Sequence, residues 1–294
     1  FEVEDEQGRR LALKSTLLLL DPRPELGAMV RMVEHGFALS EASNMPAILE
    51  LRIRACHVRG RFECKDNRAP AVSTRQLMRE PASFDYAKLS HPPVTFAHEK
   101  LKISERIPAA RRYIVEHQLN EFLPGTNDEV GIIFQGGLHI ALVRALQQLG
   151  LADAFGEAEL PMLVLNVTFP LVPDEITRFC VGRRAVLVVE EGAPEYIEHE
   201  ILAALRRADI QTPVHGKDLL PAAGELNAEL LATGLIAFCE RHLPAAALDA
   251  GRDWLGANAE RRSAVAAALD KPLPARPPSF CIGCPERPVF SAIT

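Results

Sequence analysis

Apolar and polar positions in this chain fall into two periods, one of strands and one of helices, separated by stretches with no period at all. Thr16–Leu20 is a short apolar run broken by Asp21-Pro22-Arg23-Pro24. Leu26, Met29, Val30, Val33 and Phe37 then recur at helical spacing, which predicts an amphipathic helix with that stripe turned inward. Asn44-Met45-Pro46 ends it, and Ala47–Val58 reads as a mostly apolar strand. Strand, helix and strand with short joins predict a right-handed parallel crossover. Further on, Val130–Phe134, Met162–Val167 and Ala185–Val189 are apolar runs of strand length. Leu138, Ala141, Leu142, Ala145, Leu146 and Leu149 stripe a helix that stops at Gly150. Asp174–Cys180 reads as a short helix. Pro194 opens another, with Glu195 and Glu198 in its first turn and Arg206 and Arg207 in its last, a charge order that suits the helix dipole. Continuous apolar strands alternating with amphipathic helices predict an α/β fold whose parallel sheets are covered by helices on both faces.

Between Gly60 and about Pro93 the periodicity disappears, and charges, Pro and Ser take over. A connection of that length is usually functional or lies against another domain or subunit. Pro108 predicts the first turn of a helix running towards Phe122. Residues 221–270 are Ala/Leu-rich and helical in pattern. After them Pro272, Pro274, Pro277 and Pro278 make an extended spacer, a natural domain boundary.

The chain has 294 residues and is 48% hydrophobic, room for about two domains with real cores. A formal net charge of −6 excludes a general nucleic-acid surface, which needs a basic stripe. No apolar run approaches the roughly 20 residues of a membrane span. Six sparse cysteines suit a reducing cytoplasm better than a disulfide framework.

Two of those cysteines, Cys281 and Cys284, stand three apart with Gly283 between them and Pro285 after. Such a turn puts two thiolates on one soft metal, as half a zinc ribbon or half an iron–sulfur site, or makes a redox dithiol, or is a purely structural turn. The dithiol reading wants a strand before the first cysteine, and Pro277-Pro278 stand there instead. A metal site needs about four ligands, so the pair is half a site. With Phe1 at the start, the chain is expected to be an internal piece of a longer protein. Gly136-Gly137, between strand and helix, offers backbone amides to a phosphate. It is no dinucleotide fingerprint, because Ile140 and Ala141 stand where a third glycine would fall. A tight turn for close packing is the simpler reading. Glu190 and Glu191 lie at the carboxyl end of a strand, where α/β sheets bind ligands. Neighbours on a strand point opposite ways, so helix-start electrostatics is expected of them rather than one shared site. His139 and His57 have no partner visible in sequence. Arg52, Arg54, Arg59 and Arg61 read as a solvated sheet edge or an anion-facing ladder.

The order of these pieces resembles the large subunit of the 2-oxoacid:ferredoxin oxidoreductases, most of all its indolepyruvate branch. The matching stretches are Glu34–Arg54, Pro92–Glu99, Gly131–Gly150, Phe169–Ile176, Val186–Glu191 and Phe280–Arg287. The resemblance implies that residues 1–60 are the end of a pyrimidine-binding thiamine diphosphate domain. Residues 61–127 would be a long connection with a helix near 108–122, and 128–220 a transketolase C-terminal-like α/β domain. Residues 221–278 would be a helical segment and linker, and 279–294 the start of the thiamine diphosphate/iron–sulfur domain. It further implies that Cys281 and Cys284 ligate a 4Fe–4S cluster beside thiamine diphosphate and Mg2+. Glu286 departs from the family pattern, which carries His there. The intact enzyme would decarboxylate a 2-oxoacid oxidatively, an aryl one such as indolepyruvate. It would use coenzyme A, pass electrons to ferredoxin, and work as a homo-oligomer, whereas this segment alone would be inactive. The alternative is a non-catalytic α/β interaction or assembly module with a half zinc site.

Overall fold

The computed structural model describes residues 11–67, 69, 75, 78–80, 85–243, 247–269, 271 and 291–292. Two compact units divide the chain at Gly251/Arg252. The first holds both sheets. In the second, the described residues are chiefly the continuation of one long helix, Asp249–Ala268.

The first sheet is built from β1 (Leu18–Leu20), α1 (Leu26–Ser43) and β2 (Ala47–Leu49), with β1 and β2 parallel as expected of a crossover. Two expectations change here. The face α1 buries carries Ala28, Met32, Leu39 and Ser43, while Val30, Val33 and Phe37 stay exposed. Both faces of α1 carry apolar residues, and its packing on α3 (Ile107–Glu116) decides which one is covered. The strand expected over Ala47–Val58 ends at Leu49, and Ile53–Cys56 forms a single helical turn. α3 carries Pro108 near its start as the sequence suggests, but it continues the helical turns that begin at Val94 with α2 (Val94–Leu101) and stops at Glu116. Gln118 follows with φ 51°, and Phe122 lies on a strand, β3 (Glu121–Leu123).

The second sheet has five strands in the order β3-β5-β4-β7-β8, with β4 at Val130–Gln135, β5 at Met162–Leu165, β7 at Ala185–Val189 and β8 at Val214–His215. Strands β5, β4, β7 and β8 are parallel, and β3 closes one edge antiparallel to β5. The sheet is thus mixed rather than wholly parallel. Every residue of β4, β5 and β7 is buried, as continuous apolar runs require when helices cover both faces. On one face Ile133, Leu163, Val186 and Val188 pack with Ile176 and Phe179 of α5 (Pro173–Cys180) and Ile201 and Leu205 of α6 (Tyr196–Arg207). α4 (His139–Gln148) packs against α7 (Ala228–His242).

The expected run Met162–Val167 is two strands. The chain leaves β5 at Leu165, turns at Asn166, and enters the first sheet as β6 (Val167–Phe169), antiparallel to β1. Asn166 holds the turn: its side-chain oxygen accepts from the Arg23 amide at 2.8 Å, and its nitrogen donates to Leu119 O and Glu121 Oε1, each at 2.9 Å.

Candidate functional site: a charged knot at the strand ends

In a parallel sheet the carboxyl ends of the strands, with the turns that follow, form the edge that ligands approach. Here that edge is β4 running into Gly136-Gly137 and β7 running into Glu190-Glu191. Two earlier loops reach it. Asp21 follows β1, and Arg52 follows β2.

Arg52 is the centre. Its side chain is buried, and it donates to Asp21 through Nη2–Oδ2 at 2.9 Å and Nε–Oδ1 at 3.4 Å. Its Nη1 donates to Glu191 Oε1, and Glu50 Oε1 stands 3.8 Å from Nη2. Burial works against the guanidinium charge, but Asp21, Glu50 and Glu191 outweigh it and raise the Arg52 pKa. A charge removed from water is tolerable only when paired and hydrogen-bonded in this way. The reading of Arg52 as part of a solvated edge is therefore corrected; Arg59 and Arg61 are exposed, and the side chain of Arg54 lies outside the described ones.

The carboxylates extend the knot to backbone. Asp21 Oδ1 accepts from the Gly137 amide at 3.1 Å, and Glu191 Oε2 accepts from the Leu226 amide at 2.6 Å. The Glu191 amide donates to Gln135 Oε1 at 2.8 Å. A Cβ on Gly137 would stand 2.3 Å from Arg52 Nε, and one on Gly136 would stand 2.2 Å from Asp21 O. The two glycines are there so that the loop carrying Asp21 and the side chain of Arg52 can approach the β4 turn. This is the close-packing reading of Gly136-Gly137.

Glu190 and Glu191 do point opposite ways. Glu190 is buried, and its carboxylate accepts from the Ile197 amide at 3.0 and 3.1 Å and from Glu198 at 3.1 Å. It thus serves the orphan amides and positive dipole end of α6, where Glu195 makes no side-chain cap. His139, the first residue of α4, is pushed down to about 4, chiefly by burial and then by Arg23, so it is a neutral imidazole at neutral pH. His57 is exposed.

No ligand cradle survives in this arrangement. The Gly137 amide, which such a turn could offer to a phosphate, donates to Asp21 instead, so the turn does not fit a diphosphate. Among the described residues no group of three or more His, Cys, Asp or Glu side chains is disposed to hold a metal ion. Cys56 and Cys64 are exposed, while Cys180 and Cys239 are buried. Burial pushes the Cys180 thiol up to about 12 and Cys239 up to about 11, which keeps both protonated and poor as ligands. These residues do not fit a thiamine diphosphate or an iron–sulfur cluster. Cys281 and Cys284 lie outside the described residues. What the knot does is mechanical. It ties the ends of β1, β2, β4 and β7 to the segment before α7 by charge and hydrogen bonds. Sequence reasoning missed Asp21 and its buried pairing with Arg52; the signal that could have found it is a carboxylate and a guanidinium each placed just after a strand.

No protein-family model matches the chain. Its sequence is similar to the indolepyruvate oxidoreductase subunit IorA of Methanothermobacter thermautotrophicus, 31% identical with 100% of this chain and 42% of the relative covered. The same subunit of Methanothermobacter marburgensis is 27% identical at the same coverage, and that of Thermococcus kodakarensis is 26% identical over 99% of this chain and 42% of the relative. The chain thus spans 42% of the length of these curated relatives. A solved 2-oxoglutarate:ferredoxin oxidoreductase from Magnetococcus marinus aligns at TM-score 0.35 and 16% identity, over 50% of this chain and 24% of that chain, too slight a likeness to carry an argument.

Proposed function

We propose, from the premise that this chain is an end-to-end sequence relative of indolepyruvate oxidoreductase subunits, that it is part of a thiamine- and iron–sulfur-dependent 2-oxoacid oxidoreductase. The observation that carries the reading is the 31% identity sustained over the whole chain. The span of 42% of the relative's length supports its being one part of a larger subunit. In the intact protein an aryl 2-oxoacid such as indolepyruvate would be decarboxylated oxidatively to an acyl-CoA, with electrons passed to ferredoxin. Thiamine diphosphate, Mg2+ and a 4Fe–4S cluster would supply the carbon and electron chemistry. Cys281 and Cys284 are proposed as two of the thiolate ligands. The described residues contribute framing: the Arg52 knot fixes the strand ends against one another.

One observation favours a second reading, an α/β assembly module without catalysis. The sheet edge where a ligand would enter is filled by the protein's own Asp21 and Glu191.

The test is to purify the longest natural polypeptide containing this sequence, without oxygen. Iron, acid-labile sulfide and thiamine are then quantified, and dye reduction is followed with indolepyruvate and coenzyme A. Substrate- and coenzyme-dependent reduction by a protein carrying iron and thiamine is the expected result. Zinc without iron, together with no thiamine, would establish the assembly module instead.

A further inference from the structure

A second titratable cluster lies where the edge strand β8 meets the end of α7. His215 is the last residue of β8, and His242 is the last of α7. Their Nε2 atoms stand 2.9 Å apart. Both rings rest on the buried ring of Phe238, at centroid distances of 5.9 Å from His215 and 5.2 Å from His242. Asp218 holds the other side of His215. Its Oδ2 accepts from His215 Nδ1 at 2.7 Å, and its Oδ1 accepts from the Gly216 amide at 2.9 Å.

A carboxylate only accepts, so its bond to His215 fixes a proton on Nδ1 and leaves Nε2 as a lone pair. His242 must then donate its Nε2 proton into that lone pair. One added proton is tolerated. His215 becomes an imidazolium that donates to Asp218 and, through Nε2, to a His242 ring whose own proton sits on Nδ1. A second proton is not tolerated. Both Nε2 atoms would then carry hydrogen, with no acceptor between them and two positive rings in contact. The surrounding charges do not relieve this. Arg241 of α7 stands 3.6 Å from Asp218 Oδ2, and Arg184, just before β7, donates to His242 O at 2.7 Å and pairs with Glu129. On the turn after β8, Lys217 Nζ donates to Glu190 O and Pro221 O, and Glu198 of α6 accepts from the Lys217 amide. Asp218 is thus the only carboxylate bonded to either ring among the described residues. Burial, then His215, Arg241 and Arg184, lower the His242 pKa below the ordinary imidazole value of 6.5. Burial opposes the charge on Asp218, but the bonds from His215 and Gly216 outweigh it and keep the carboxylate ionised.

We propose that the His215–His242 hydrogen bond is a proton-operated latch, which holds the end of α7 to the edge strand β8 at neutral pH and opens when the second proton arrives. What it frees is the last turn of α7, since Leu235 and Phe238 stay packed in the core. The bond from Arg184 to His242 O does not titrate in this range, so the pH-dependent share belongs to the two rings. The sign follows from the depressed His242 value: the opened state binds the extra proton. The latch is therefore complete above about pH 6.5 and is lost as pH falls below it.

Hydrogen exchange by mass spectrometry tests this on the longest natural polypeptide containing the sequence, at pH 7.5 and pH 5 with intrinsic exchange corrected. Peptides covering β4 serve as the reference and show that each variant is folded. The wild-type peptide over Phe238–Leu243 is expected to lose protection about tenfold at the lower pH relative to that reference. His242→Ala has no latch and should give the low protection at both pH values. His242→Gln is the decisive variant. Its amide can donate to His215 Nε2 or accept from it, and it does not titrate, so protection should stay within about twofold between the two conditions. His139 is intact in that variant, so its own titration cannot produce the difference. Wild-type protection that is unchanged with pH overturns the proposal. So does a His242→Gln protein that loses protection as the wild type does. Exchange does not depend on cofactor content or activity, so the proposal and the functional reading fail separately.

Discussion

Phe134 and Phe96 are the same side chain under opposite conditions. The first lies on the central strand β4 with no exposed surface, and the second lies on the helix Val94–Leu101 with 71% of its surface in water. Each stands in an apolar pattern that hydrophobicity alone would place in a core. What separates them is pairing. β4 is flanked by parallel strands on both sides and roofed by helices, whereas the helix Val94–Leu101 buries none of its residues. Apolar spacing thus reports that a face will be covered, and not by what.

Substitutions can break or sharpen this contrast. The largest effect belongs to Arg52→Met, which leaves Asp21, Glu50 and Glu191 buried around an uncharged side chain and should cost about 3–5 kcal/mol in urea unfolding. A loss under about 1 kcal/mol would mean that the knot is wet and the framing role is wrong. Phe134→Ala should cost about 3–4 kcal/mol through the cavity it opens in the sheet.

His139 gives a pH dependence with a definite sign. Its folded pKa, about 4, lies below the ordinary imidazole value of 6.5, so between these pH values the unfolded chain binds the extra proton. Its contribution is complete above about pH 6.5 and is lost as pH falls towards 4, about 2 kcal/mol after allowance for its partial exposure. Thermal melts at pH 7 and pH 5 should show this loss, and His139→Gln should remove that share of it. Glu190→Gln keeps the hydrogen-bond acceptor but removes the charge at the start of α6, an effect of about 1 kcal/mol by chemical denaturation. The smallest effect is that of Phe96→Ala, below about 0.5 kcal/mol on unfolding. If it matched Phe134→Ala, the helix would be packed and the contrast would vanish.

What was legible in sequence follows the same line. β4 and β7 could be read because strands buried on both faces need unbroken apolar runs. The cap by Glu190 and the divergence from Glu191 followed from strand alternation, and the tight Gly136-Gly137 turn from its place between strand and helix. The inward face of α1 could not be read, since Val30, Val33 and Phe37 compete with Ala28, Met32 and Leu39 on the opposite side. β3 is three residues long and pairs antiparallel at an edge, so it gives no periodic signal. The burial of Arg52 depends on Asp21, 31 residues before it, and Glu191, 139 residues after it. No local pattern carries a pairing of that span.

Asn166 has one more consequence. Because a single residue separates the last position of one sheet from the first of the other, the two sheets share a joint with no slack. They can twist about that joint only by rupturing the bonds its side-chain amide makes to three separate backbone and carboxylate groups. Any domain-scale opening of the whole protein should therefore leave this pair of sheets moving as one body, with its hinges elsewhere.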